Sequence, residues 1–197
     1  MRVVGGRHRG RRLVTPAGLA VRPTADRVRE ALFNILMHGD HLPEGLAGAR
    51  VLDLFAGTGA LGLEALSRGA GHVVFIEHDR AALRAIERNV QTLRAGTEVT
   101  VLARDATRPG GRVGPPATLA FLDQPYGQGL AAPALAALAA GGWLAPGALA
   151  VVEVGAREDV AAPAGFTVLD RRLYGATAIV FLRRESGAPD AANEEPS

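Results

Sequence analysis

Cysteine is absent from this chain. Without it there is no disulfide framework and no thiolate metal site, and no metal is expected. Lysine is absent too: all 22 basic residues are arginine, a residue suited to forked contacts with phosphate. No apolar run approaches the ~18 residues that span a bilayer, so no membrane segment is expected. The basic N-terminus is not followed by an apolar stretch, which argues against a secretory signal. A cytoplasmic location is the expectation.

What is present suits one domain of ordinary size. The chain has 197 residues, 48% of them hydrophobic, enough for a sizeable core. The net charge is only +2, but it is unevenly spread. Eight arginines lie within residues 1–29, against one acid, Asp26. The stretch from Glu185 to Ser197 has four acids and no arginine. A basic N-terminus of this kind points to a polyanionic partner. Arg2, Arg7, Arg9, Arg11 and Arg12, with Arg22 further on, are candidate RNA contacts.

Three regions follow from the pattern. Residues 1–23 read as a small basic hairpin and a connector, with a strand at Arg2–Val4, a turn at Gly5-Gly6 and a return strand from Gly10 to Val14. Residues 24–184 form the main domain, and residues 185–197 an acidic tail expected to be disordered. Thr24 is placed to cap a helix running to about Met37, with Val28, Leu32, Ile35 and Leu36 on its apolar face. From Val51 onward, strands and helices alternate. Strands are expected at Val51–Phe55, Val73–Ile76, Val99–Leu102, Leu119–Leu122 and Ala148–Val154. Helices are expected to Arg68, over Asp79–Arg94 and over Ala131–Ala140. Leu83, Ile86, Val90 and Leu93 face inward on the second of these. Two closing strands, Phe166–Arg172 and Ala176–Leu182, surround a turn at Tyr174-Gly175. Alternation with near-continuous apolar strands implies an α/β fold with a mostly parallel sheet covered on both faces. The closing hairpin adds an antiparallel strand.

Residues 53–62 read Asp-Leu-Phe-Ala-Gly-Thr-Gly-Ala-Leu-Gly. Gly57, Gly59 and Gly62 match the G-x-G-x-x-G fingerprint between a strand and a helix. Glu77, 20 residues after Gly57, ends the next strand and is placed to accept from ribose hydroxyls. A nicotinamide or flavin oxidoreductase is one reading. Asp53 argues against it, because a carboxylate at the strand end disfavours a pyrophosphate. S-adenosyl-L-methionine (SAM) carries an ammonium and a sulfonium and no phosphate, so Asp53 becomes a counter-charge, direct or through water. Asp105, with Ala106 after the third strand, is a candidate contact for the adenine amino group. The plainer readings are a tight turn for the glycines and a solvated loop acid for Asp105.

Asp123, Gln124, Pro125 and Tyr126 follow the fourth strand directly. Ligands of open α/β sheets bind beyond the carboxyl ends of strands at the switch point, so Asp53 and Asp123 should face one crevice. Asp123 and the backbone carbonyl of Gln124 can accept from an exocyclic amine, Pro125 biases Gln124 to an extended backbone, and Tyr126 can stack on a base. Two acceptors draw such an amine towards a tetrahedral shape and free its lone pair. A simple turn is the alternative, since Asp, Pro and Gly favour turns.

The segment Asp53–Ala70, with Arg-Pro-Thr-Ala-Asp-Arg-Val-Arg-Glu-Ala-Leu-Phe-Asn at residues 22–34, resembles the RsmD-type 16S ribosomal RNA guanine-N2 methyltransferases. The resemblance runs from about Met1 to Arg184. It implies a Rossmann-like class I methyltransferase with a seven-stranded, mostly parallel sheet, a C-terminal antiparallel hairpin and an RNA-gripping N-terminal β-hairpin. It implies SAM as donor and a guanine of small-subunit ribosomal RNA as acceptor. Cofactor roles fall on Asp53, Gly57, Gly59, Glu77 and Asp105, and the catalytic motif on Asp123–Tyr126. The family's motif is Asp-Pro-Pro-Tyr or Asp-Pro-Pro-Phe; here Gln124 replaces the first proline. That departure keeps open an RNA-binding ribosome-assembly factor with weak or no catalysis. A DNA adenine-N6 methyltransferase could use the same segment, but a small basic hairpin is not a target-recognition domain. A monomer is expected.

Overall fold

Five apolar strands in a row cannot leave either face of a sheet in water. In the computed structural model, which describes residues 1–16, 23–42 and 44–187, they lie side by side from one edge of a seven-stranded sheet. In chain order the elements are α1 (Pro23–His38), β1 (Arg50–Leu54), α2 (Ala60–Ser67), β2 (His72–Glu77), α3 (Arg80–Leu93), β3 (Val99–Ala103), β4 (Ala117–Leu122), α4 (Ala131–Ala140), β5 (Leu144–Gly155), β6 (Phe166–Tyr174) and β7 (Thr177–Arg184). The spatial order is β3-β2-β1-β4-β5-β7-β6. The first five of these strands are parallel; β7 runs antiparallel to both β5 and β6. This is the Rossmann-like methyltransferase arrangement, with its switch of strand order between β1 and β4.

Alternation along the strands divides the core in two. Val74, Leu52, Ala120, Ala150 and Leu182 are register neighbours and pack with α4 and Trp143 on one face. The next row, Phe75, Asp53, Phe121, Val151 and Phe181, faces α1, α2 and α3. Asp53 is the one polar member of that row. Burying each large apolar side chain contributes roughly 1.5–3 kcal/mol, so these two layers dominate the stability.

The helices show where periodicity succeeds and where it slips. On α1, Val28, Leu32 and Leu36 are buried and Ile35 is half-buried, as expected, but Arg29 and Phe33 are buried beside them. The helix begins at Pro23, so Thr24 lies within its first turn and not ahead of it. On α3, Ile86, Val90 and Leu93 are buried while Leu83 is only half-buried; Ala82, Ala85 and Asn89 complete the inner face.

The N-terminal arm is a hairpin closed by a single antiparallel bridge between Arg2 and Arg12, with a 3-10 turn at Gly6–His8 in place of a tight Gly5-Gly6 turn. Contacts with α2 impose this shape. The Ser67 hydroxyl donates to the Gly5 carbonyl and accepts from the His8 amide, and the Val4 amide donates to Glu64 at 2.7 Å. Val3 and Leu13 are buried in the same core as α1 and α2, so the arm is packed into the domain. Arg22, and the tail from residue 188 on, lie outside the described residues.

Candidate active site

The site is built at the carboxyl ends of β1, β2 and β4. The glycine loop leaves β1 through Phe55, a non-glycine residue in the left-handed region (φ 54°). Backbone strain of this kind costs of order 1–3 kcal/mol and is retained where the surrounding structure over-determines it. Gly57 (φ 56°) and Gly59 (φ 75°) continue the left-handed turn, which L side chains rarely adopt. Gly62 serves packing: a Cβ there would meet the Phe75 ring at 2.5 Å and Val73 at 2.7 Å, so only glycine lets α2 lie this close to β2.

Three carboxylates stand at or just beyond the ends of β1, β2 and β3. Asp53 is 1% exposed, and its Oδ2 accepts from the Gly62 amide at 2.8 Å, capping the first turn of α2. Burial pushes its carboxyl well above the ordinary carboxylate range; the Gly62 hydrogen bond opposes this, and the nearby charges of Asp123 and Glu77 add to it. Asp53 therefore lies beneath the loop, fastening it, and reaches a ligand only through that loop or through water. Glu77 is 7% exposed and held by three backbone amides: Gly57 donates to Oε2 at 2.9 Å, and His78 and Asp79 donate to Oε1 at 2.7 and 2.8 Å. Oε1 thus uses both of its lone pairs, and Oε2 keeps one. Asp105 is exposed; its Oδ1 accepts from the backbone amide and the hydroxyl of Thr107, and these bonds hold its carboxyl below the usual range. Ala106 behind it is buried against the β1 and β2 side chains.

The Asp123–Tyr126 segment sits across from the loop, with the Asp123 amide 3.5 Å from the Leu54 carbonyl at the end of β1. Asp123 and Pro125 are exposed, Tyr126 is half-buried and Gln124 is 2% exposed. Gln124 Nε2 donates to the Glu153 backbone carbonyl at 2.8 Å. The Tyr126 hydroxyl donates to Glu153 Oε1 at 2.6 Å and lies 3.1 Å from Thr177 Oγ1. Burial, then the Glu153 acceptor, pushes the phenol up to about 12, so Tyr126 is neutral throughout the physiological range. An open cavity of about 720 Å³ adjoins the segment, lined by Gly127, residues 155–158, Gly175 and Ala176.

The arginines of the arm divide. Arg2 lies 4.0 Å from Asp26, and Arg7 pairs with Glu98. Arg9, Arg11 and Arg12 are exposed and make no ion pair among the described residues. Arg80, Arg84 and Arg88 form an exposed stripe on α3, as the helical spacing suggests.

Sequence reasoning missed three contributors. Asn89 is fully buried on α3: its Nδ2 donates to the Thr58 carbonyl in the glycine loop and to the Val14 carbonyl, and its Oδ1 accepts from the Val14 amide. A polar residue between Ile86, Val90 and Leu93 was the available signal. Glu64, fully buried on α2, takes Arg68 at 2.6 Å, the Val4 amide, and Arg29 at 3.8 Å. Glu153, on β5, carries no signal in the expected strand Ala148–Val154. No group of three or more His, Cys, Asp or Glu placed to hold a metal ion occurs among the described residues.

The same arrangement has close relatives. Residues 1–183 match the family described as conserved hypothetical protein 95. The chain is 38% identical over 193 residues to ribosomal RNA small subunit methyltransferase D of Escherichia coli strain K12, covering 97% of this chain and 94% of that one. It is 36% identical over 180 residues to the Haemophilus influenzae protein of the same name, covering 89% of each. The solved structure of Escherichia coli yhhF superposes with a TM-score of 0.81 at 38% identity, covering 94% of this chain and 98% of that one. The chain belongs to the RsmD-type family of small-subunit ribosomal RNA methyltransferases.

Proposed function

We propose that this protein methylates the exocyclic N2 amine of a guanine in 16S ribosomal RNA, using SAM held between the glycine loop and the Asp123–Tyr126 segment. The observation that carries the reading is the meeting of these two motifs across the β1–β4 switch point, with Glu77 at the end of β2 and Asp123 after β4, each close enough to Asp53 of β1 for its charge to act on it. The residues present fit the cofactor. Glu77 is locked in place by three amides yet keeps one lone pair, on Oε2, for a ribose hydroxyl. Asp105 and Ala106 lie at the end of β3, beside β2, where the adenine would bind. The carboxylates of Glu77 and Asp123 make a negative site that suits a cation and repels a pyrophosphate, which disfavours the oxidoreductase reading.

When bound, SAM supplies an electrophilic methyl group on a sulfonium. Asp123 and the Gln124 carbonyl accept from the guanine amine, concentrating its lone pair on nitrogen and orienting it for in-line attack. Asp123, exposed beyond the end of β4, is placed to take the surplus proton as the N–C bond forms and the methyl–sulfonium bond breaks. Tyr126, neutral and anchored by its hydroxyl, offers its ring face for stacking on the base. Arg9, Arg11 and Arg12 hold the RNA backbone by charge. A soluble protein working in the cytoplasm as a monomer fits this substrate, and no helix among the described residues is long and apolar enough to cross a membrane.

The test is transfer of a tritiated methyl group from SAM to small ribosomal subunits lacking the modification, followed by nucleoside mass spectrometry. N2-methylguanosine is the expected product. Methylated adenine, or no transfer, would refute the proposal.

A further inference from the structure

Gln124 stands where the related motif has proline, and a proline ring there stiffens the backbone that aims the accepting carbonyl. Glutamine lacks that constraint. The structure supplies a different one. The Gln124 side chain turns inward, 2% exposed, and its Nε2 donates to the backbone carbonyl of Glu153 at 2.8 Å. Its Oε1 is buried without a hydrogen-bond partner among the described residues, so the amide is fastened through its nitrogen alone. Two residues on, the Tyr126 hydroxyl donates to the carboxylate of the same Glu153 at 2.6 Å, with Thr177 Oγ1 at 3.1 Å behind it. One residue of β5 thus grips the catalytic segment at two points, by main chain and by side chain.

We propose that Glu153 is the positioning residue of the active site: it holds Gln124 and Tyr126 in the geometry that presents the Asp123 carboxylate, the Gln124 carbonyl and the Tyr126 ring to the acceptor base. Glu153 touches no reacting atom and acts through its two partners. The brace lies in the strand neighbouring β4, two residues before its end, and the β5–β7 register places Thr177, the first residue of β7, opposite Gly155, the last of β5, so the anchor is built into the end of that ladder. A half-buried carboxylate facing a neutral phenol has a clear role there, because the short charge-assisted bond is stronger than a neutral one. The inference rests on the methyl-transfer reading of the site.

The experiment is a double-mutant cycle on methyl transfer with Glu153→Ala, Tyr126→Phe and the pair, with Glu153→Gln as the conservative variant. Tyr126→Phe keeps the stacking ring and removes the hydroxyl that meets Glu153 and Thr177. Loss of positioning lowers kcat by about tenfold to a hundredfold. Glu153→Ala and Tyr126→Phe should each show such a loss, the double variant should lose no more than the larger of the two, and Glu153→Gln, which can still accept from the phenol, should recover most of the rate. SAM affinity by calorimetry should stay within about twofold of the parent in all four. Additive losses, a parent-like kcat in Tyr126→Phe, or a fall in SAM affinity matching the fall in kcat would each overturn the proposal. Parent protein that transfers no methyl group would instead refute the function on which it rests.

Discussion

Replacing Glu77 with alanine separates its two jobs. Its carboxylate accepts three backbone amides, from Gly57, His78 and Asp79, and in the proposed complex it also accepts from ribose. A hydrogen bond to a charged group is worth roughly 1.5–3 kcal/mol, and each 1.4 kcal/mol is tenfold in affinity. Removing the ribose hydrogen bond alone therefore weakens SAM binding about tenfold to a hundredfold. The freed amides add a second effect. Glu77 is 7% exposed, so water replaces its oxygens poorly, and the Gly57 end of the loop loosens. For a domain of this size, each kcal/mol of lost stability lowers the melting temperature by roughly 2–4 °C. Calorimetric titration with SAM, alongside thermal melting of the same preparation, reads both effects. A variant that melts lower yet binds SAM within twofold of the parent would show that Glu77 only fastens the loop, and the ribose assignment would be wrong.

Three further outcomes are expected. Asp123→Ala should abolish most methyl transfer while leaving SAM affinity nearly unchanged, because its proposed partner in the reaction is the base amine; parent-rate methylation by this variant would place the active site elsewhere. Exchanging exposed Arg9, Arg11 and Arg12 for alanine should weaken RNA binding and lower the slope of log affinity against log salt by about 0.7–0.9 for each phosphate no longer neutralised; an unchanged slope would exclude charge gripping. This triple exchange is cleaner than deleting the arm, since Val3 and Leu13 belong to the core and their removal would destabilise the fold. Asp53→Asn should keep the Gly62 hydrogen bond and remove a buried charge. A carboxyl raised on folding holds its proton better in the folded chain, so the parent loses stability as pH rises above the ordinary carboxylate value, and the variant does not. The variant's advantage in melting temperature should therefore be larger at pH 8 than at pH 5; equal pH dependence in the two proteins would contradict the buried-charge argument.

The α/β alternation, the near-continuous apolar strands and the closing hairpin were legible in the sequence because each is a local periodic signal, and strand and helix bounds mostly fall within a few residues of the observed ones. The two motifs were legible for the same reason: glycines at fixed spacing, an acid 20 residues on, and Asp-Gln-Pro-Tyr at a strand end need no knowledge of distant contacts. What local pattern could not convey was which polar side chains lie inside. Asp53 reads as a counter-charge for a ligand, yet its place in the Phe75–Phe121 row turns it towards α2 and the Gly62 amide. Asn89 stands among the apolar residues of its helix with no partner nearby in sequence, and it joins Val14 to Thr58, residues 75 and 31 positions away in the chain. Glu153 carries no signal in the expected strand Ala148–Val154, and only the pairing of β5 beside β4 brings it against Gln124 and Tyr126. The physical reason is common to all three. Composition and spacing specify which residues can form elements and motifs, whereas a buried polar group takes its role from partners supplied by other elements, and those are chosen only when the sheet assembles.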